Sequence, residues 1–320
     1  MRLNFKKDFL LVTAMLVAAG CSDSMTGENN PEQQVPIAFG TQVATRAVVE
    51  SDKEGMDNFT LWGWVRESDG PKLFCDAASV TPSGNYGEKR FWAVGRPYDF
   101  YAVHPEEMKE IGVATEVSCN DKGELRVTGF DSSGMGKDAV DLMTATETDV
   151  TYEGGGTMAP VLLAFKHELA QVKLTVRTGE NQAEVSDIRL FGVDDKGDLL
   201  WTPENSTWQN RVKCTEEKTL FVRSGSVRIE AGSSATVLDG VLLLPQPVTE
   251  DVAVTFKYAY AGKPLSEAKE AMVYLDAALT TEWIKSNTYH YKITLPAADA
   301  DITVKVNVGD WDSKDISADW

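Results

Sequence analysis

Histidine is the side chain most often used for acid–base and metal chemistry near neutral pH, and this chain has only three of them. His104, His167 and His290 lie far apart in the sequence, and no HExxH, GxSxG or CxxC motif occurs. The sequence therefore shows no recognisable zinc, nucleophile or dithiol centre. We interpret each histidine as a hydrogen-bonded structural residue, and we predict a protein that is not an enzyme and uses no cofactor and no metal.

Two loop-like stretches carry weaker chemical signals. Gly134–Lys137 has two glycines and a lysine, but Asp138 stands where a phosphate loop has Ser or Thr. Asp194–Asp198 is acidic like a calcium loop, yet it lacks the EF-hand spacing and the distal glutamate. We interpret the first as an ordinary loop and the second as a hairpin turn. Trp62 and Trp64 would share one face of a strand, where packing in the core is favoured over a sugar-binding platform.

Four cysteines are present, and three of them, Cys75, Cys119 and Cys214, cannot all pair with one another. We predict small buried side chains at these positions, with one disulfide as the alternative. The fourth, Cys21, follows a short positive start, an apolar run from Phe9 to Ala19, and Gly20. That order predicts a secretory signal, because about eleven apolar residues are too few to span a bilayer.

Ala18-Ala19-Gly20-Cys21 resembles the lipobox of bacterial lipoproteins, although Ala18 stands where that motif usually has Leu. The resemblance implies a signal peptide over residues 1–20 and acylation of Cys21, for instance with palmitate. Ser22 after the cysteine favours the outer membrane by analogy. Residues 21–34 are polar and predict a lipidated flexible tether.

The remainder of the chain predicts an all-β fold. Alternating or β-branched segments recur between turn residues; among them are Phe59–Val65, Tyr98–Val103, Val161–Val176, Val252–Tyr260, Tyr289–Leu295 and Ile302–Val308. Many short antiparallel strands indicate β-sandwiches, and the length favours two in tandem. We place an N-terminal β-sandwich at residues 35–160 and a C-terminal one at 161–320. The formal net charge of −18 excludes a general nucleic-acid binder, which needs a basic face.

Several segments resemble fimbrillins, the pilins of type V fimbriae, and their fimbrillin-like lipoprotein relatives. No single motif is specific, but their number and order extend over essentially the whole mature chain. The segments are Val35–Gly40, Ala44–Ala47, Phe59–Trp64, Phe91–Trp92, Tyr98–Pro105, Asp141–Ala145, Leu163–Val172, Leu244–Gln246, Tyr289–Leu295 and Val306–Trp311. The resemblance implies two transthyretin-like sandwiches and a surface-exposed lipoprotein or fimbrium at the outer membrane.

The resemblance also implies a route of assembly. In that family an extracellular protease cuts after an arginine, here Arg46 before Ala47, and thereby releases the first strand. The apolar side chains of that strand would be Val35, Ile37 and Phe39. A donor strand from a neighbouring subunit then fills the groove, and the candidate donor residues are Ile302, Val304, Val306 and Val308. Alternatively, this last strand completes its own sandwich.

Three function classes follow from these observations. The first is a structural or adhesive fimbrial subunit whose partners are other fimbrial subunits and, through Cys21, outer-membrane lipid. The second is a non-polymerising surface lipoprotein that binds a glycan or a host or bacterial surface ligand. The third, a hydrolase, lacks any visible acid–base or nucleophile constellation.

Overall fold

The computed structural model describes residues 34–43, 56–134, 138–215, 221–276, 280–296 and 302–310. Strands dominate this part, and the helical elements include only short turns such as Glu106–Met108 and Leu265–Glu267. No helix among these residues is both long and apolar enough to cross a membrane. The predicted all-β class is confirmed.

The described residues form twenty strands. The first ten are β1 (Phe39–Val43), β2 (Phe59–Glu67), β3 (Gly70–Val80), β4 (Pro97–His104), β5 (Glu116–Cys119), β6 (Leu125–Asp131), β7 (Met143–Thr151), β8 (Val161–His167), β9 (Ala170–Arg177) and β10 (Ala183–Phe191). The others are β11 (Asp194–Trp201), β12 (Ser206–Lys213), β13 (Phe221–Ile229), β14 (Ser234–Leu243), β15 (Gln246–Pro247), β16 (Ala253–Tyr260), β17 (Lys269–Tyr274), β18 (Glu282–Trp283), β19 (Asn287–Thr294) and β20 (Thr303–Asp310).

The first sheet has six strands in the order β1-β8-β7-β4-β2-β3 and is covered on both faces. Phe59 and Leu61 belong to one apolar cluster, whereas Trp62 and Trp64 belong to a second cluster with residues of β6 and β11. Because side chains alternate along a strand, a run that is buried throughout must be covered on both faces. The predicted core role of the two tryptophans fits their exposures of 3% and 6%.

Two further four-stranded sheets, β14-β9-β19-β20 and β13-β10-β16-β17, supply side chains to one shared core. Valines and leucines of β9 and β10 meet aromatic residues of β16 and β19 there, and Tyr289 and Tyr291 are almost fully buried. The hydroxyl of Tyr291 accepts a 2.9 Å hydrogen bond from the indole of Trp283, so the polar tips of these large side chains are satisfied.

A fourth sheet, β12-β11-β6-β5, combines strands from both halves of the chain. In addition β8, which follows residue 160, pairs with β1 and β7 of the first sheet. The predicted boundary between residues 160 and 161 therefore separates strands that pair, and the division into two domains there stays a prediction. Residues 35–320 group as one compact unit.

Asp194–Asp198 is not the hairpin turn that its composition predicts, because these residues open β11 and pair with both β12 and β6. Irregular register near Lys196 accommodates the turn-like residues within a strand. A Cβ atom on Gly197 would lie 3.0 Å from a side-chain carbon of Leu244, so the glycine permits close packing.

A buried ion pair ties β8 to the segment between β18 and β19. Glu168 has a side chain only 1% exposed, and its carboxylate accepts hydrogen bonds from Lys285 at 2.9 and 3.1 Å and from Thr144 at 2.7 Å. The ammonium of Lys285 also donates to the hydroxyl of Ser206 at 2.8 Å. Three separate parts of the chain thus share one charged group that water cannot reach.

Replacing the cation of this pair tests how much the structure depends on it. Lys285→Met leaves the Glu168 carboxylate buried without its counter-ion, and we expect a loss of about 1–3 kcal/mol in the free energy of unfolding. Lys263→Met is the matched control, because Lys263 and Glu267 are both well exposed and such pairs contribute little. Urea denaturation followed by tryptophan fluorescence measures both, and equal midpoints for the two variants would contradict the prediction.

Candidate functional site

The first described segment, residues 34–43, lies at the edge of the first sheet and changes hydrogen-bond partners midway. Strand β1 runs parallel to β8, with Phe39 opposite Val161 and Val43 opposite Phe165. Upstream of β1, the Ile37 amide donates to the Arg90 carbonyl at 2.8 Å, and the Trp92 amide donates to the Val35 carbonyl at 3.0 Å. The segment therefore fills a slot between β8 and the chain at residues 90–92.

The predicted apolar face of this segment is buried in the core. Val35, Ile37 and Phe39 are 8%, 3% and 4% exposed and belong to the cluster on one face of the first sheet. Phe39 makes edge-to-face contacts with Tyr86 and Phe100 at centroid distances of 5.3 and 5.1 Å. Burial of three such side chains contributes roughly 5–9 kcal/mol, at about 1.5–3 kcal/mol each.

Residues 81–90 close over the slot from the side opposite β8. The Tyr86 hydroxyl donates to the Ile37 carbonyl at 2.8 Å and accepts from the Arg90 amide at 3.3 Å. Burial raises the pKa of Tyr86, so the phenol keeps its proton at neutral pH. Thr41 donates from its side chain to the Pro82 carbonyl at 3.2 Å. Both ends of the segment are therefore held by polar contacts as well as by apolar burial.

Gly84 marks the closest approach of this closing loop to the first segment. Its φ is +83°, and a Cβ atom there would lie 2.1 Å from the Phe39 carbonyl oxygen. Only glycine fits both the left-handed backbone and the space. The composition of Ser83-Gly84-Asn85 is typical of a turn, but nothing in the sequence points to the strand that the turn covers.

The last described segment, β20, is also an edge strand, but unlike the first segment it is only half-buried. Strand β20 pairs antiparallel with β19, from Thr303 opposite Thr294 to Asp310 opposite Asn287. Ile302, Val304 and Val306 are partly buried against the core of their own sheets, whereas Val308 is 54% exposed. In this structure the last strand therefore completes its own sheet without burying its apolar side chains fully.

The lipidation residue Cys21 and the cleavage pair Arg46 and Ala47 lie outside the described residues. Cys75 and Cys119 are free thiols, and the side chains of Cys75 and Cys214 are buried. Burial raises the pKa of Cys119 to about 12, so that thiol is not reactive near neutral pH.

Each histidine has a structural partner; His104 and His167 both contact Asp141, whereas His290 contacts Thr175. His167 Nδ1 lies 2.8 Å from the Asp141 carboxylate, and His290 Nε2 lies 2.7 Å from the Thr175 hydroxyl. His104 Nδ1 lies 3.2 Å from the Asp141 carbonyl oxygen. Burial lowers the pKa of His104 and of His290. Within the described ranges, no group of three or more His, Cys, Asp and Glu side chains is placed to hold a metal ion.

Substitution at Gly84 tests the fit between the closing loop and the first segment. Gly84→Ala adds a methyl group against the Phe39 carbonyl, and we expect it to lower the free energy of unfolding by about 1–3 kcal/mol more than Gly87→Ala. Gly87 is the matched control, because its φ is +75° but a Cβ there meets nothing within 4 Å. Urea midpoints measure the difference, and equal midpoints would show that the loop does not hold the segment.

Comparison with known proteins agrees with this architecture. A family model described as fimbrillin-like matches residues 45–311. Fimbrium subunit Fim1C of Phocaeicola vulgatus is 28% identical over 236 residues, which cover 63% of this chain and 62% of that relative. The chain therefore spans less than two thirds of the length of this curated relative.

Two solved structures share the fold. A fimbrial protein from Bacteroides vulgatus matches with a TM-score of 0.61 and 17% identity, over 86% of this chain and 99% of that one. A candidate cell adhesion protein from Bacteroides ovatus matches with a TM-score of 0.51 and 13% identity, over 89% and 99%. These two likenesses show the fold alone, whereas the family model matches well over half of the chain. This protein belongs to the fimbrillin-like family.

Proposed function

We propose that the protein is a structural or adhesive subunit of cell-surface fimbriae that assembles by strand exchange after cleavage at Arg46. The observation that carries this proposal is the burial of Val35, Ile37 and Phe39 at the edge of the first sheet. A segment in that position is held by non-covalent contacts and by one covalent connection to the rest of the chain. Cutting the connection makes its departure irreversible once another strand has taken its place.

Departure of the first segment would leave a groove with unsatisfied groups on both sides. Hydrogen-bond partners would be lost by the β8 backbone on one side and by the Arg90 carbonyl and the Trp92 amide on the other. The rings of Tyr86 and Phe100 would also lose their contact with Phe39. Unpaired buried backbone groups and exposed apolar surface both cost free energy. The open groove therefore favours a new strand that alternates apolar side chains.

Strand β20 has the spacing that such a groove requires. Ile302, Val304 and Val306 recur at every second residue, as Val35, Ile37 and Phe39 do. They are only partly buried in their own sheet, so transfer to a neighbour's groove would gain apolar burial while one backbone ladder replaces another. Pairing of this kind is β-augmentation between subunits.

The proposal also includes the membrane anchor. Acylation of Cys21 would hold the precursor at the outer membrane before cleavage.

The alternative function, a surface lipoprotein that binds glycans without polymerising, has weaker support. Phe91 and Tyr274, the exposed aromatic side chains in the described part, are 40% and 47% exposed and lie in different parts of the fold rather than on one platform.

Removing the cleavage site tests the first step of assembly. Arg46→Ala should leave folding intact and block the formation of detergent-resistant ladders after treatment with an arginine-specific protease, because the first segment stays connected. Arg126→Ala is the matched control, since Arg126 is 55% exposed and its nearest ion-pair contact is 3.8 Å long. Gel electrophoresis in detergent without boiling is the readout. If the Arg46→Ala variant formed ladder bands as intense as those of the control, the proposed assembly route would be wrong.

Charging the inner face of the last strand tests the donor. Val304→Asp with Val306→Asp would place two carboxylates in an apolar groove, at a cost of several kcal/mol unless they are paired. We expect this variant to accept a donor but not to donate, so that it terminates ladders formed by the wild-type protein.

Thr303→Asp with Asn307→Asp adds the same charge on the other face of β20 and serves as the control. Because Val304 and Val306 also pack in their own core, thermal melting must first show that the variant is folded, and Val306→Thr gives a milder change. If a folded inner-face variant extended ladders like its control, β20 would not be the donor.

A further inference from the structure

A cleft of about 720 Å³ opens at one end of the first sheet, where β2 begins, β4 ends and β7 begins. Five acidic side chains line it: Asp57, Glu106, Glu107, Asp138 and Asp141. Ile111, Val113 and Val140 add an apolar part to the wall, and Ile111 is 52% exposed. An acidic rim beside apolar side chains suits a ligand that carries a positive charge next to small apolar groups.

His104 also lines the cleft and provides an independent sign of a missing ligand. The residue is 6% exposed, and its Nε2 has no hydrogen-bond partner among the described residues. Its Nδ1 faces the Asp141 carbonyl oxygen, which can only accept, so Nδ1 carries the proton. In the neutral ring Nε2 is then a bare acceptor, and a buried acceptor without a donor is costly. The ligand that would satisfy it carries an N–H donor.

Sheet topology places the described residues that flank the cleavage site at the end of the sheet that holds this cleft. Strands β1 and β2 are separated in the sheet by β8, β7 and β4, a span of about 19 Å at 4.8 Å per strand. The described residues at the two ends of the connection between them, Val43 and Met56, lie at the end of the sheet that holds the cleft. Val43, at the end of β1, pairs with Phe165, which lies two residues before His167, and His167 contacts the cleft residue Asp141. At the other end of the connection, Asp57 precedes β2 and lines the cleft itself.

Hydrolysis of the Arg46–Ala47 peptide bond would consume one water and produce two new termini. The carboxylate stays on Arg46 with the departing segment, and the amine, protonated to an ammonium, stays on Ala47. Ala47 precedes Asp57 by ten positions, a length that reaches at most roughly 33–36 Å and can turn back into the cleft. Val48 and Val49 follow it and match the apolar wall.

We propose that the acidic cleft binds the new N-terminus, Ala47–Val49, through its α-ammonium group. This inference rests on the proposed cleavage at Arg46. The acidic residues attract the ammonium and the His104 acceptor takes one of its N–H donors. The departing end carries the Arg46 guanidinium as well as the new carboxylate and is net neutral, whereas the retained end presents an ammonium group without a neighbouring anion. A short tether keeps the effective concentration of the ammonium high.

The test uses the full chain cut with an arginine-specific protease, with the cut at Arg46 verified by N-terminal sequencing. Timed acetylation with acetic anhydride at pH 7.5, read by mass spectrometry, reports how reactive the Ala47 amine is. A free α-amine has a pKa near 7.7–8.0, and an acidic cleft raises it. We expect acetylation about tenfold slower than for a peptide that begins Ala-Val-Val.

Glu107→Gln with Asp138→Asn should restore peptide-like reactivity, because both side chains are exposed and line the cleft. Glu204→Gln with Glu250→Gln removes the same charge at exposed positions elsewhere and should leave the amine protected. An unprotected amine in the cut wild-type protein would overturn this inference while ladder formation still supported the assembly route. A protected amine without ladders would overturn the assembly route alone, and resistance of Arg46 to the protease would overturn both.

Discussion

An apolar slot lies beside β8 at the edge of the first sheet, and a strand must fill it. Val35, Ile37 and Phe39 fill it in this structure, and the closing loop around Gly84 and Tyr86 fits over them so closely that it leaves no room for a methyl group. A core that is missing one edge strand exposes both backbone groups and aromatic rings. The occupancy of this slot therefore affects the stability of the fold, and under the proposed strand exchange it would also set the readiness of one subunit to join another.

The two edge segments differ in how completely they are buried, and this asymmetry would give a direction to the proposed strand exchange. The first segment is almost fully covered, whereas β20 leaves Val308 54% exposed and its other apolar residues half-covered. A strand whose apolar side chains are only partly buried in its own sheet gains more apolar burial when it enters a closed groove in another subunit. The formal net charge of −18 opposes non-specific association between copies, so in the proposed assembly specific strand pairing would have to supply the attraction.

Buried polar groups connect the parts of the fold that lie around this slot. The Glu168–Lys285 pair joins the end of β8 to the start of β19, and the Asp141–His167 pair joins the same end of β8 to the start of β7. The Glu168–Lys285 pair is costly to break because the Glu168 carboxylate would remain in the interior without its counter-ion. The slot thus lies beside strands that these side-chain contacts connect, and the proposed cleavage would change the edge of the sheet rather than its centre.

The amino-acid sequence by itself determined the all-β class, the apolar face of Val35, Ile37 and Phe39, the inner face of β20 and the core role of Trp62 and Trp64, because alternation along a strand is a local property. It also pointed to structural rather than catalytic histidines. Asp194–Asp198 shows its limit, since a turn-like composition became a bulged strand once β6 and β12 paired on both sides. Only the tertiary structure decided that β8 pairs with the first segment, that Gly84 closes over Phe39, and that five acidic side chains from three separate segments meet beside His104. These contacts join residues distant in the chain, and their partners are chosen by packing rather than by local pattern.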